Sequence, residues 1–219
     1  MNEARSVTVL LADEWTLVRE GLARLIEADS RFRVIAQASD GASALKLIET
    51  LRPAIGIVDI NLPDLFALEL VRRATVASPE TKLIVVSTRR DRKTVVESLR
   101  AGASGFVLKS AHGHQLLDAL GQVLEGGVYV SPSLELNKIF APAARNGQED
   151  PLESLSAREY QVFSLLIDGV RAKEIAARLE LSPKTVDTYR ASLMRKLDIH
   201  DVPGLVKFAI HREIISTSP

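Results

Sequence analysis

The stretch IGIVDI, residues 55–60, is a short run of mostly β-branched apolar side chains whose single charge, Asp59, falls near its end. It lacks the alternation of a half-exposed strand, so it predicts a strand covered on both faces, as in a parallel sheet. Four runs of similar character flank it: VTVLLA (7–12), RVIAQA (33–38), LIVVS (83–87) and GFVLK (105–109). Between them lie segments with apolar residues three and four apart, such as Leu17, Leu22, Leu25 and Ile26, which predict helices packed on the sheet. Five strand–helix repeats over residues 7–127 specify a doubly wound α/β domain around a five-stranded parallel sheet.

The rest of the chain has a different grammar. After Gly126-Gly127 come Ser131-Pro132, a weak helical pattern over 132–140, and APAARNGQEDP (141–151), whose composition is that of a linker. Helical patterns then fill 152–213. Ser156 and Glu159 have capping-box spacing, and Gly169 is placed to end that helix. A second helix is expected over 171–180. Ser182-Pro183 caps and opens a third, and Asp201 caps a fourth. Only Leu181-Ser182 separates the second from the third, a helix-turn-helix spacing. The expected division is thus 1–127, a connecting segment 128–151, and an all-α unit 152–219.

Composition narrows the function. The 219 residues are 46% apolar and 26% charged, with 28 basic residues balancing 28 acidic ones. That balance excludes a uniformly basic nucleic-acid binder and an acidic disordered chain. The absence of cysteine excludes disulfide scaffolds, thiolate zinc sites and cysteine nucleophiles. No apolar run approaches the ~20 residues of a membrane span. Acids interrupt the apolar N-terminal stretch too early for a secretory leader, so a cytoplasmic protein is expected.

In open parallel sheets, functional groups collect beyond the C-terminal strand ends. Asp13 and Glu14 follow the first strand and Asp59 ends the third; Ser87 follows the fourth and Lys109 ends the fifth. Three carboxylates at one edge need a cation, and hard oxygen ligands suit Mg²⁺. The set fits phosphorylation of an aspartate. Asp59 would attack phosphorus while Mg²⁺, Lys109 and Ser87 neutralise the phosphoryl oxygens. An aspartyl-phosphate hydrolase would want a second acid two residues after the nucleophile, and position 61 is Asn.

LADEWTLVREGL (11–22), VDINLP (58–63), VVS (85–87) and AGASGFVLKS (101–110) together resemble the receiver domain of two-component response regulators, a flavodoxin-like fold. The resemblance implies that Asp59 is the phosphoacceptor and that Asp13 and Glu14 are the Mg²⁺-binding acidic pair. It implies that Asn61 offers its backbone carbonyl to the metal, and that Ser87 and Phe106 are a hydroxyl–aromatic switch. A sensor histidine kinase or a small phosphodonor would supply the phosphoryl group. Several positions depart from the pattern. Glu14 replaces the usual second Asp, and Phe66-Ala67 replaces Asp-Gly. Arg89-Arg90 follows Ser87, either facing a phosphoryl group or lying in a solvated basic loop with Arg92 and Lys93. The sole tryptophan, Trp15, is expected to pack beside the first helix, and His112 and His114 to lie on the surface. An atypical receiver that only pairs or senses a ligand is the alternative.

In SPKTVDTYRASLMRKL (182–197), Val186, Tyr189, Leu193 and Leu197 make an apolar back, leaving Lys184, Asp187, Thr188, Ala191 and Arg195 toward the other side. Arg171 to Lys196 carries seven basic residues against three acids, which suits a phosphate backbone. Residues 155–199 follow the LuxR-type helix-turn-helix of the NarL/FixJ group, with Gly169, Lys173-Glu174-Ile175-Ala176, Leu179, Ser182, Thr185-Val186 and Lys196-Leu197 at expected places. That resemblance implies that the third helix contacts double-stranded DNA through Lys184, Asp187, Thr188, Ala191 and Arg195, and that a homodimer forms through the last helix, about 201–213. Asp187 is either a cytosine reader or a solvated acid. The chain as a whole thus reads as a phosphorylation-regulated, DNA-binding transcription factor.

Overall fold

The computed structural model describes residues 6–134, 151–212 and 214–215. Chain packing divides these residues into two units. One contains everything up to Ser87 together with Ser98–Leu134; the other joins Thr88–Glu97 to the described residues from Pro151 onward.

The first unit is a parallel sheet flanked by helices. Its strands are β1 (Val7–Ala12), β2 (Phe32–Ala38), β3 (Ile55–Asp59), β4 (Lys82–Ser87), β5 (Gly105–Leu108) and β6 (Tyr129–Val130), in the order β2-β1-β3-β4-β5-β6. The helices are α1 (Thr16–Glu27), α2 (Gly41–Leu51), α3 (Ala67–Ala77), α4 (Arg92–Arg100) and α5 (Gly113–Leu124). β3 is central and buried throughout, as a run without alternation requires. On one face Val9, Leu11, Ile57, Ile84, Val86 and Val107 pack with Ile26, Leu116 and Leu120. The alternating set Leu10, Val58, Val85 and Phe106 is also buried and, by the two-residue period, belongs to the other face.

The sheet has six strands where five were expected. Tyr129–Val130 pairs with Gly105–Phe106, and two residues are too short for a run to register in sequence. Two side chains also depart from expectation. Leu17 is 82% exposed and Trp15 62% exposed, so α1 packs through Ala23 and Ile26 instead. Residues 132–134 form a turn closed by Leu134 N–H on the Ser131 carbonyl (2.9 Å). The remainder of the weak helix over 132–140, and residues 141–150, lie outside the described residues.

In the second unit a 3-10 turn at Pro151–Ser154 leads into α6 (Ala157–Ile167), α7 (Ala172–Arg178), α8 (Pro183–Leu197) and α9 (Val202–His211). The caps follow the sequence. Ser156 and Glu159 form the reciprocal capping box, Ser182 caps α8 with Pro183 in its first turn, and Asp201 caps α9. Gly169 takes a φ of +79° just past α6, where a left-handed residue closes the helix. α7 is shorter than the expected 171–180, because Glu180 turns left-handed (φ 54°) and opens a four-residue turn before Pro183.

Candidate functional site

Sheet register aligns the strand ends. Ala12 is level with Val58, Asp59 with Val86, and Ser87 with Leu108. Asp13, Asp59, Ser87 and Lys109 are therefore neighbours along one edge, each at or one residue past its strand end. The Lys109 ammonium lies 2.7 Å from Asp13 Oδ2 and 2.9 Å from Asp59 Oδ2. Both carboxylates are buried, Asp59 to 2% exposure, and Ser87 is fully buried. Burial is the largest influence on Asp59 and pushes its carboxyl above the ordinary value; the ammonium of Lys109 opposes this without outweighing it. Burial alone would lower the Lys109 pKa, but Asp59 and Asp13 more than offset it, so it is raised. Two buried oxygen ligands already share one cation here, which is the chemistry a hard divalent ion requires.

The remaining expected residues divide. Phe106 is fully buried on β5. Asn61 is exposed just past β3, and a backbone hydrogen bond from Asn61 favours the charged form of Asp59. Glu14 is exposed, and among the described residues no group of three or more His, Cys, Asp and Glu side chains converges as a metal site. The structure thus gathers Asp13, Asp59 and Lys109 but leaves the Glu14 carboxylate outside. The positive φ of the loop after Asp59 falls at Asp64 (67°), a residue type that tolerates it, so Phe66-Ala67 needs no glycine. Gly41 permits this loop to close: its N–H meets the Pro63 carbonyl at 3.0 Å, and a Cβ there would stand 2.5 Å from the Leu65 carbonyl oxygen. His112 and His114 are exposed, with stacked rings 5.7 Å apart.

Within segment 88–97, burial corrects the reading of Arg89 as part of a solvated basic loop. Arg89 is 3% exposed and is not a solvated side chain. Its guanidinium donates to Ser164 Oγ (2.5 Å) and the Ser164 carbonyl (3.1 Å), and pairs with Asp168 at 2.9 Å. The buried Lys93 donates to the Leu155 carbonyl (2.7 Å), and Tyr160 O–H donates to Asp91 (2.7 Å). α6 is accordingly buried at every position from Glu159 to Ile167. The signal was in AREYQVFSLLI, whose apolar residues exceed one helical stripe.

On α8, Lys184, Asp187, Thr188, Ala191 and Arg195 are all exposed, at spacings that keep them on one helical face. Val186, Leu193 and Leu197 are buried beneath, while Tyr189 is only half-buried. Thr188 Oγ1 bonds the Lys184 carbonyl (2.9 Å). Lys196 does not belong to a free basic patch: its ammonium contacts Glu159 Oε2 (2.6 Å) and the Ser154 carbonyl (3.0 Å). Glu159 also accepts from Ser192 Oγ and the Ser156 N–H, both at 2.7 Å. Burial acts to raise the Glu159 pKa, but these bonds outweigh it and lower it to about 2. No helix among the described residues is long and apolar enough to cross a membrane.

Comparison with known proteins places two family models on the chain. Residues 9–121 match the response regulator receiver domain, and residues 153–209 match the bacterial regulatory proteins of the luxR family. The response regulator GacA of Pseudomonas aeruginosa is 29% identical over 212 residues, 97% of this chain and 99% of its own length. The response regulator UvrY of Escherichia coli K12 is 30% identical over 204 residues, 93% of this chain and 94% of its own. In fold, the chain is similar to RcsB of Salmonella enterica serovar Typhimurium, solved on promoter rprA with the phosphomimetic BeF3⁻. The TM-score is 0.75 at 24% identity, covering 93% of this chain and 98% of that one.

Proposed function

This chain belongs to the response regulators that join a receiver domain to a luxR-family DNA-binding domain, and on that footing we propose that phosphorylation of Asp59 regulates the binding of α8 to double-stranded DNA. The receiver is taken as 1–127, the connecting segment as 128–151 and the DNA-binding domain as 152–219. The observation that carries the proposal is the Lys109 ammonium held between Asp13 and Asp59 at aligned strand ends.

In the proposed step an Asp59 oxygen attacks the phosphorus of a sensor histidine kinase's phosphohistidine or of an acyl phosphate. The new O–P bond forms as the donor's N–P or O–P bond breaks. Lys109 favours the anionic form of Asp59 against the larger pull of burial, then stays with the phosphoryl oxygens. Asp13, Asp59 and the Asn61 carbonyl, with Glu14 brought in from the rim, would hold Mg²⁺, which supplies charge neutralisation at the phosphoryl group. Ser87 donates its hydroxyl to the phosphoryl group and Phe106 follows as the aromatic partner. α8 then presents Lys184, Thr188, Ala191 and Arg195 to DNA, with Asp187 facing a base or solvent, in a homodimer through α9. A cytoplasmic setting fits this role.

Incubation with acetyl phosphate and Mg²⁺ tests it. Intact-mass measurement should show one added phosphoryl group on the wild type and none on Asp59→Asn, with DNA binding tightened only in the former. A wild type that gains no phosphoryl group from either acetyl phosphate or a kinase refutes it and favours a receiver that works without phosphorylation.

A further inference from the structure

We propose that Arg19 is a positioning residue that fixes the acidic loop Asp13–Trp15 for divalent-cation binding. The inference rests on the phosphorylation-site reading above and assigns this chain's own device for presenting Glu14. The Arg19 Nη1 donates to the Asp13 carbonyl at 2.5 Å and to the Glu14 carbonyl at 3.1 Å, while Nη2 donates to Thr16 Oγ1 at 3.2 Å. One guanidinium therefore grips the two successive peptide planes that flank the Glu14 Cα. With both planes held, the direction in which the Glu14 side chain leaves the backbone is held as well.

The other half of the loop is fixed through Asp13. Its Oδ1 accepts the Trp15 N–H (2.9 Å) and its Oδ2 the Lys109 ammonium (2.7 Å). Its own N–H reaches the Ala38 carbonyl at 3.2 Å. Asp13 is thus tied to β2 and to the residue after β5, whereas among the described residues Glu14 is held only by Arg19, through its backbone carbonyl. Helix α1 adds the lever. The Arg19 N–H bonds the Trp15 carbonyl (3.0 Å), so the arginine sits on the first turn of the helix that the loop enters. Trp15 offers no side-chain cap to that helix, so the Arg19 grip is the chief side-chain tie between helix and loop.

Sign separates this role from a purely electrostatic one. A guanidinium near two acids repels a divalent cation, so by Coulomb's law alone its removal should tighten Mg²⁺ binding. A positioning role predicts the reverse, since a loosened loop spends less of its time with Glu14 correctly aimed.

The test uses the full chain and Mg²⁺ as the probe, read by Trp15 fluorescence and, separately, by the initial rate of phosphorylation from acetyl phosphate. For Arg19→Gln we expect half-saturating Mg²⁺ to rise about tenfold, with the rate at saturating Mg²⁺ returning to the wild-type value. Arg19→Lys, which keeps the charge but not the two-armed grip, should fall between. An unchanged or lower half-saturation in Arg19→Gln overturns the proposal, as does a rate that stays depressed at saturation, which is the mark of a merely structural loss. Should Arg19→Gln fail to fold, Arg19→Lys decides: a severalfold rise supports the role and no change overturns it. A wild type indifferent to Mg²⁺ in both readouts overturns the site reading together with this proposal. A responsive wild type matched by Arg19→Gln overturns only the role of Arg19.

Discussion

Replacing Glu159 with glutamine keeps the shape of the side chain and removes the charge that Lys196, Ser192 and Ser156 surround. The carboxyl titrates near 2 in the folded chain against an ordinary 4.5. A depressed carboxylate stabilises the native state above its unfolded pKa, and that stability is lost as pH falls through the folded pKa. At about 1.4 kcal/mol per pH unit the gap corresponds to about 3 kcal/mol at pH 7, falling to about 1.5 kcal/mol at pH 3. Urea unfolding followed by far-UV circular dichroism should show Glu159→Gln less stable than wild type by roughly these amounts at the two pH values. Trp15 fluorescence, which reports the first unit, should shift little. A difference below about 1 kcal/mol at pH 7, or one independent of pH, would refute the assignment of the stabilisation to the Glu159 charge.

Asp59→Asn should raise the melting temperature at pH 7 by about 2–4 °C for each kcal/mol gained. Burial raises the Asp59 pKa, so wild-type stability declines as pH rises from about 4 through the raised folded value; the gain should therefore shrink in acid, and scanning calorimetry at pH 7 and pH 4 checks it. Gly41→Ala places a methyl 2.5 Å from the Leu65 carbonyl oxygen, which should cost about 1–3 kcal/mol and slow Asp59 phosphorylation, read by urea unfolding and by intact mass. Lys184→Ala and Arg195→Ala, both on the exposed face of α8, should each reduce the slope of log affinity against log salt by about one, measured by fluorescence anisotropy on a cognate duplex.

Much of this was readable before any coordinates. Runs such as IGIVDI identified central strands because burial on both faces leaves no other composition. Ser156, Ser182 and Asp201 located helix starts because capping is local chemistry. Of the strand-end set Asp13, Glu14, Asp59, Ser87 and Lys109 that parallel topology suggested, all but the exposed Glu14 carboxylate lie buried or half-buried at the aligned strand ends. What escaped was tertiary. Lys196 counts as a basic residue in any window, yet its charge is spent on Glu159 37 positions earlier. Arg89 looks like surface in a run of Arg and Lys, and only the partners Ser164 and Asp168, far along the chain, make it core. Arg19 sat within a recognised motif, but its role lies in carbonyls, which no side-chain pattern announces.

The placement of 88–97 bears on how such proteins can be cut and recombined. A fragment beginning in the connecting segment keeps α6 but loses Arg89, Asp91 and Lys93, so Ser164, Asp168, Tyr160 and the Leu155 carbonyl shed partners they hold in the intact chain. A chimera that grafts these C-terminal helices onto a different receiver inherits the same gap unless the ten residues after Ser87 travel with them. The chain is interleaved in substance: the peptide leaving the fourth strand is part of the scaffold on which α8 is mounted.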